Sequence, residues 1–301
     1  VRSLDIDLRD VTFTDLIPFD AVIHLAALSD DAACDLDPGL TAEINYDATM
    51  HLARCCQQAG VGRFLFASSC SVYGAAAERM CDETSPVEPL TAYAASKLEC
   101  ERNLASCADH AFVPVFLRNA TAYGVSPRLR LDLLLNDLVA SALTTQTITM
   151  HTNGRAWRPM MHVEDIARAY LAVLAAPDEL VAGQIFNVVR TNENYRVIDV
   201  ADAVAEVFPR AARRRVADVS DRRSYRATAS KLAVAFPGLR MSWTVNLGIR
   251  QLCNAMTHAG TTVGDYRSDR YRRVLRLRSL RDAGVLDRAL RRREAALLAV
   301  P

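Results

Sequence analysis

Short apolar runs alternate with stretches of helical periodicity in the first part of the chain. Residues 22–26, 64–67 and 113–117 are apolar runs of strand length, which is typical of parallel strands covered on both faces. Residues 40–59 carry apolar side chains at helical spacing, and a second helix is predicted from Thr91 onward. This alternation predicts an α/β fold with a doubly wound, mostly parallel sheet.

The second half of the chain loses this rhythm. Helices are predicted there at 131–143, 163–174 and 197–208, strands at 148–151 and 184–189, and a basic loop at 213–215. A further short strand is predicted at 2–6, at the start of the chain. We therefore expect a sheet domain at 1–125, which 153–189 partly rejoin, a smaller lobe at 126–152 and 190–260, and a helical arginine-rich tail at 261–301.

Composition bounds the class of protein. The 301 residues are 50% hydrophobic, so the chain can bury a large core. Its formal net charge is only +1, which gives no indication of a nucleic-acid partner. Eight cysteines without a C-x-x-C pair indicate reduced thiols. No apolar run has the length of a membrane span, and no histidine falls in a trusted metal-ligand pattern. We expect a soluble cytoplasmic enzyme with no membrane partner and no metal.

Tyr93 and Lys97 stand four residues apart at the start of a predicted helix, so their side chains share one helix face. An ammonium beside a phenol favours the phenolate, and we expect it to lower the pKa of Tyr93 into the range of a usable base. Only Lys97 and Lys231 are lysines among 36 basic residues, which suggests a need for a compact ammonium. With a serine from the neighbouring strand end, the pair forms a candidate proton-transfer site for an alcohol. The alternative is an exposed helix with an incidental pair.

Four motifs then appear in a fixed order: His-Leu-Ala-Ala (24–27), Ser-Ser-x-x-Val-Tyr-Gly (68–74), Tyr-x-x-x-Lys (93–97) and Arg-Pro-x-x-His-Val-x-Asp-Ile-Ala-x-Ala (158–169). Together they resemble the extended short-chain dehydrogenase/reductases, the NAD-dependent nucleotide-sugar epimerase/dehydratase family. The resemblance covers about residues 3–255. It implies a Rossmann-like domain that holds NAD and a smaller C-terminal lobe that holds the nucleoside diphosphate of a sugar.

The resemblance also implies roles for individual residues. Tyr93 would be the catalytic base, Lys97 would tune it and bind the nicotinamide ribose, and Ser69 would be the hydroxyl partner. The residues implied to contact NAD are Asp7, Leu8, Leu25, Ala26, Ala27, Asn45, Ser68, Tyr93, Lys97 and Asn119. Those expected to contact the nucleotide sugar are Ser71, Thr121, Arg158 and Arg223, and a guanidinium fork matches phosphate oxygens.

The two residues after Ser69 bear on the reaction. Dehydratases of the family carry an Asp-Glu pair there, whereas this chain has Cys70 and Ser71. Neither side chain replaces two carboxylates in acid–base chemistry, so we expect a C4 epimerase, with a 4,6-dehydratase or 4-ketoreductase as the alternative. Cys70 is either a catalytic thiol, if nearby cations lower its pKa, or a small buried residue lining the pocket.

One family feature is missing from the sequence. The glycine-rich turn that cradles a dinucleotide pyrophosphate at a helix N-terminus is absent. Either the chain is truncated at its N-terminus or it has lost tight NAD binding, and we favour truncation because Ser69, Tyr93 and Lys97 need a hydride acceptor. A catalytically inactive scaffold that binds a nucleotide sugar or a partner is the third hypothesis.

The tail is the other departure. Residues 265–294 contain eleven arginines and five acidic residues, with leucines at helical spacing. A basic helix can bind nucleic acid or an anionic membrane, but we expect a solvated, partly packed helix without a nucleic-acid partner. Family members commonly dimerise through helices at 41–59 and 91–107, so we expect a homodimer.

Overall fold

Buried parallel strands form the centre of the protein. The computed structural model describes residues 5–29, 31–34, 37–76, 79–217 and 221–293. The strands are β1 (Ala21–His24), β2 (Arg63–Ser69), β3 (Met80–Cys81), β4 (Val113–Asn119), β5 (Thr121–Tyr123), β6 (Thr147–Met150), β7 (Trp157–His162), β8 (Ile185–Val188), β9 (Asn194–Arg196), β10 (Ala212–Arg215) and β11 (Arg226–Ala227). The helices are α1 (Phe13–Leu16), α2 (Asp31–Cys34), α3 (Pro38–Ala42), α4 (Ala48–Ala59), α5 (Ala92–Ser106), α6 (Leu134–Thr145), α7 (Val163–Leu174), α8 (Asp178–Val181), α9 (Val197–Val207), α10 (Ser230–Ala235), α11 (Val245–His258), α12 (Val263–Arg267) and α13 (Arg273–Asp282). Strands β1, β2, β4 and β8 make the central sheet in that order, and all three pairs are parallel.

Helices cover both faces of this sheet. On β2, Phe64 and Phe66 share a buried cluster with side chains of α4 and α5, whereas Leu65 shares a different cluster with side chains of α7. Successive side chains of a strand point to opposite faces, so a strand covered twice must be apolar throughout. The arrangement confirms the predicted α/β class with a doubly wound parallel sheet.

The carboxyl ends of β1, β2 and β4 meet at one edge of the sheet. Ser69, the last residue of β2, pairs in register with Asn119, the last residue of β4. Ligands of open parallel sheets bind outside this edge. The sheet therefore gathers the residues that follow these strands around one place.

A second apolar core lies beside the central sheet. It contains buried side chains of α6, β6, α9 and α11. Strand β6 pairs in parallel with β10, which includes residues 213–215. The prediction of a basic loop there is wrong, because a strand ladder is made by backbone groups and the arginine side chains stay exposed on it.

The tail packs against the beginning of the described chain. Arg9 Nη1 donates to the Ala289 carbonyl at 2.8 Å, and Arg292 pairs with Asp5 at 2.7 Å. The tail is helical in α12 and α13, but residues 283–293 are not in a helix, so the helical prediction holds for part of it. The strand predicted at 2–6 falls mostly outside the described residues, and Asp5 and Ile6 are not in a strand.

Two kinds of feature are not found in the described ranges. No helix there combines the length and apolar character needed to cross a membrane. In the same ranges, no three His, Cys, Asp or Glu side chains are grouped so as to hold a metal ion.

Candidate active site

A cavity of about 660 Å³ opens at the carboxyl edge of the central sheet. Among the residues predicted for the site, those that line it are Leu25, Ala27, Ser68, Ser69, Ser71, Tyr93, Lys97, Asn119, Thr121, Arg158 and Arg223. Residues from both halves of the chain thus meet in one space. The predicted residues Asp7, Leu8, Ala26, Asn45 and Cys70 do not line this cavity.

Ser69 and Ser71 lie where β2 ends and a tight turn begins. Ser69 ends the strand, and its Oγ accepts hydrogen bonds from the Ser71 backbone N–H at 3.2 Å and from Ser71 Oγ at 2.9 Å. The turn stops at Gly74, where φ is +63° and an added Cβ would clash with the Glu88 carbonyl group. A residue without a side chain is needed at this position because of that close approach.

Helix α5 presents Tyr93 and Lys97 from successive turns. Thr91 caps the helix by accepting from the Ala94 N–H at 3.2 Å, which fixes where the helix begins. Lys97 Nζ lies 5.8 Å from the Tyr93 ring centroid and 4.7 Å from that of Phe66. Lys97 is 3% exposed, and burial lowers its pKa to about 8. Within the described residues it has no carboxylate partner.

The pKa of Tyr93 moves opposite to our expectation. Burial raises the pKa of Tyr93 above its usual value of 10, and a hydrogen bond with Ser69 offsets this only in part. Burial penalises the phenolate in the same way as it penalises the Lys97 ammonium. The prediction of a lowered pKa for Tyr93 is therefore wrong.

Two asparagines support the site. Asn119 Nδ2 donates to the Ser68 carbonyl at 3.1 Å and to Tyr170 Oη at 2.8 Å, while its buried Oδ1 has no donor within the described residues. Asn45 holds the segment after β1, since its side chain bonds the Leu28 N–H and carbonyl at 2.8 and 3.0 Å. Asn45 lies behind the cavity, so its contacts are with protein groups.

Cys70 points away from the cavity. It is fully buried, and its Sγ donates to the Arg118 carbonyl at 3.2 Å. Burial raises the pKa of the Cys70 thiol, which opposes formation of a reactive thiolate. The geometry thus gives no support to a catalytic thiol and also moves Cys70 out of the pocket lining.

Two arginines that line the cavity are held by carboxylates. Arg158 pairs with Asp221 at 2.6 Å, and Arg223 pairs with Asp221 at 2.7 Å and also with Asp31 on α2. The guanidinium of Arg158 lies 5.3 Å from the Tyr225 ring centroid. Both predicted phosphate partners therefore reach the cavity, but as members of an ion-pair network.

Asp7 and Leu8 are placed elsewhere. Asp7 pairs with Arg9 at 2.7 Å, and this contact lowers the pKa of Asp7 to about 2. Leu8 begins a short 3-10 turn ending at Asp10. Asp7 thus serves a local ion pair near the tail in this structure.

A buried polar network behind the site is not predicted from the sequence. Ser68 Oγ donates to Glu101, and Glu101 also forms a two-point ion pair with Arg118, at 3.0 and 2.7 Å. Arg118 Nη1 donates to Tyr73 Oη at 3.1 Å. The one available signal is that Glu101 stands four residues after Lys97, on the same face of α5.

The cavity offers groups that fit the nicotinamide end of NAD. The buried ammonium of Lys97 has donors for ribose hydroxyls, and Asn119, whose buried Oδ1 has no donor within the described residues, lines the same cavity. Buried polar atoms are normally satisfied, so an orphaned acceptor at a cavity points to a ligand. These residues are therefore suited to hold the cofactor implied by the motifs.

Comparison with known proteins identifies relatives. The model of the NAD dependent epimerase/dehydratase family matches residues 2–188. The mouse dTDP-D-glucose 4,6-dehydratase is 25% identical over 207 residues, which are 67% of this chain and 57% of the relative. The uncharacterized UDP-glucose epimerase YtcB of Bacillus subtilis is 28% identical over 204 residues, 64% of this chain and 60% of the relative. The chain thus spans less than two thirds of the length of these relatives.

Solved structures with NAD share the fold. MoeE5 in complex with UDP-glucuronic acid and NAD has a TM-score of 0.77 and 26% identity, with 86% of each chain covered. The UDP-glucose 4-epimerase of Thermus thermophilus in complex with NAD has a TM-score of 0.72 and 26% identity, with 84% of each chain covered. The sheet is thus of the Rossmann type. Because the family match spans more than half of the chain, the protein belongs to the NAD dependent epimerase/dehydratase family, and its cofactor is NAD.

Proposed function

We propose that the protein is a nucleotide-sugar epimerase that oxidises C4 of the sugar and reduces it again from the opposite face. The observation that carries this proposal is the meeting of Ser69, Tyr93 and Lys97 at one cavity, at the edge of the sheet where NAD-binding folds hold their ligands. A phenol, a hydroxyl and an ammonium around a cavity suit proton transfer with an alcohol.

Each of the three side chains has a distinct task. NAD, when bound, accepts a hydride from the sugar carbon and returns it. Tyr93, as the phenolate, takes the proton of the C4 hydroxyl and later gives it back to the same oxygen. Ser69, which already shares a hydrogen bond with Tyr93, donates to that oxygen. Lys97 stands one helical turn after Tyr93, and its ammonium would donate to ribose hydroxyls of the cofactor.

The carboxylates of the cavity favour epimerisation over dehydration. The four that line it within the described residues are Asp31, Asp132, Asp137 and Asp221, and each pairs with an arginine. Ion pairing holds the pKa of Asp132 and Asp221 below the usual value, although burial raises it. Dehydration needs a base at C5 and an acid for the leaving hydroxyl, and a carboxylate held ionised cannot donate a proton.

The substrate we propose is a nucleoside-diphosphate sugar. Arg158 and Arg223 line the cavity and pair with the same Asp221, and guanidinium groups bind phosphate oxygens in pairs of hydrogen bonds. MoeE5 binds UDP-glucose and UDP-glucuronic acid, so UDP-sugars are the first compounds to assay.

The test is product analysis by NMR. The protein is incubated with NAD and UDP-glucose, UDP-glucuronic acid or dTDP-glucose, and the Tyr93→Phe variant is the control. The proposal predicts the C4 epimer of one substrate, with turnover reduced about 100-fold or more in the variant because the proton acceptor is gone.

Other products would support the alternatives. A 4-keto-6-deoxy sugar would make the protein a dehydratase, the activity named for the mouse relative. Turnover of a 4-keto sugar alone would indicate a ketoreductase. A protein that binds the nucleotide sugar but neither binds NAD nor turns over would be an inactive scaffold.

A further inference from the structure

A second cavity lies beside the active site, between the end of β1 and the tail. It has a volume of about 400 Å³ and is bounded by residues 25–28, 128–130 and part of 269–280. We call it the arginine cleft. The wall formed by residues 25–28 directly follows β1, so the cleft opens at the same edge of the sheet as the active site.

Arginine dominates the charge of this cleft. Arg128 and Arg270 line it without an ion-pair partner within the described residues, and Arg270 lies 5.2 Å from the Tyr271 ring centroid. Arg276 forms an ion pair with Asp269, with 3.2 Å between Nη1 and Oδ2, and about half of the Arg276 side chain is exposed. Asp269 is the one carboxylate among the described lining residues. Guanidinium groups gathered around a cavity create a site for an anion with several oxygens.

The arginine cleft continues into the active-site cavity. Leu25, Ala27, Arg128 and Arg130 line both spaces. Arg158 and Arg223 line the active-site cavity but not the arginine cleft, so two distinct groups of arginines adjoin the catalytic side chains. A hydride transfer between a nucleotide sugar and NAD requires sites for two diphosphate groups, one from each molecule.

We propose that the arginine cleft binds the diphosphate of the dinucleotide cofactor. This inference rests on the proposed function, because Arg158 and Arg223 are there assigned to the diphosphate of the sugar nucleotide. A tail helix, α13, thereby supplies cofactor contacts through Arg276, together with Arg128 from the loop before α6.

The experiment compares two arginines on α13. Arg276→Gln removes a charge from the cleft, whereas Arg278→Gln removes a charge that is also exposed, two residues away, and that does not line it. Calorimetry measures the dissociation constants of NAD, ADP-ribose and UDP for both variants and for Arg128→Gln. Loss of one charge-assisted contact predicts weaker NAD and ADP-ribose binding by about five- to tenfold in Arg276→Gln and Arg128→Gln, with Arg278→Gln within about twofold of the parent.

The outcomes separate this inference from the proposed function. Weaker ADP-ribose binding in Arg276→Gln supports the cleft even if no epimer is formed in the activity assay. Unchanged NAD and ADP-ribose binding in Arg276→Gln overturns it, even if the protein is an epimerase. A selective loss of UDP binding would assign the cleft to the sugar nucleotide, and equal losses in Arg276→Gln and Arg278→Gln would show only a general effect of basic charge. A selective loss of UDP binding and equal losses in the two variants each contradict the proposal. A parent protein that binds neither NAD nor ADP-ribose contradicts it as well.

Discussion

Lys97 is the residue whose surroundings best show what the active site requires. It is buried without a carboxylate partner within the described residues, and its pKa falls to about 8. A buried ammonium without such a partner is costly, because water no longer solvates the charge. Hydrogen bonds from the Lys97 ammonium to hydroxyl groups of a bound ligand would offset this cost.

The burial of Lys97 predicts a pH dependence of stability. The folded protein releases this proton near pH 8, whereas the unfolded chain keeps it up to about 10.5, so the unfolded state binds more protons between these values. The stability of the parent relative to Lys97→Met should therefore rise from pH 8 to 10.5, by up to about 3 kcal/mol. Urea unfolding of both proteins across this range measures the difference. A difference that stays flat or falls would contradict the burial of a charged Lys97.

Residue chemistry was only partly predictable from the sequence. The spacing of Tyr93 and Lys97 correctly placed both side chains at one cavity, because helix geometry is local. The direction of the pKa of Tyr93 was wrong, because burial depends on what the fold packs around the ring. The orientation of Cys70 likewise depends on the neighbouring strand, whose Arg118 carbonyl accepts from its thiol.

At the scale of elements, a buried ion pair joins the catalytic helix to the sheet. Glu101 on α5 and Arg118 on β4 are both 4% exposed in their side chains and lie 2.7 Å apart. Lys97 stands one helical turn before Glu101. The Glu101–Arg118 ion pair therefore fixes the position of the helical turn that carries Lys97. Breaking such a pair leaves one buried charge without compensation.

The helix offers a matched test of this link. Glu101→Gln should destabilise the protein by about 3 kcal/mol because Arg118 keeps a charge that the amide does not neutralise. Glu99→Gln removes an exposed charge from the same helix and should change stability by less than about 0.5 kcal/mol. Urea unfolding of the two variants near pH 7 gives both values, and equal effects would refute a structural role for the ion pair.

Elements were predicted well where hydrophobic pattern decides them. The apolar runs became β1, β2 and β4 because strands covered on both faces need apolar side chains. Strand β10 was missed because its exposed arginines carry no such pattern, and only its partner β6 determines the pairing. The network around Glu101 was missed for a related reason, since Arg118 reaches it through the packing of α5 on β4.

At the scale of the whole molecule, ion pairs at the active-site cavity join distant parts of the chain. Arg223 follows β10 in the chain, whereas its partner Asp31 belongs to α2, close to the end of β1. A diphosphate with more negative charge can take over Arg223 from these carboxylates. The homodimer and the cytoplasmic location stay predictions.

Substrate binding should depend on Arg223 and not on its neighbour. Arg223→Gln should weaken UDP binding by about tenfold, because one charge-assisted contact to the phosphates is lost. Arg222→Gln removes an exposed charge that does not line the cavity and should leave the dissociation constant within about twofold. Equal dissociation constants for the two variants would exclude Arg223 from the phosphate site.

The most direct measurement follows the hydrogen at C4. The protein, with NAD, converts a nucleotide sugar deuterated at C4, and NMR locates the deuterium in the product. Epimerisation predicts an inverted C4 that still carries deuterium, with ordinary hydrogen at C5 and C6, and negligible conversion by Tyr93→Phe. Deuterium found at C6 of a 4-keto-6-deoxy sugar, or full conversion by Tyr93→Phe, would contradict the account.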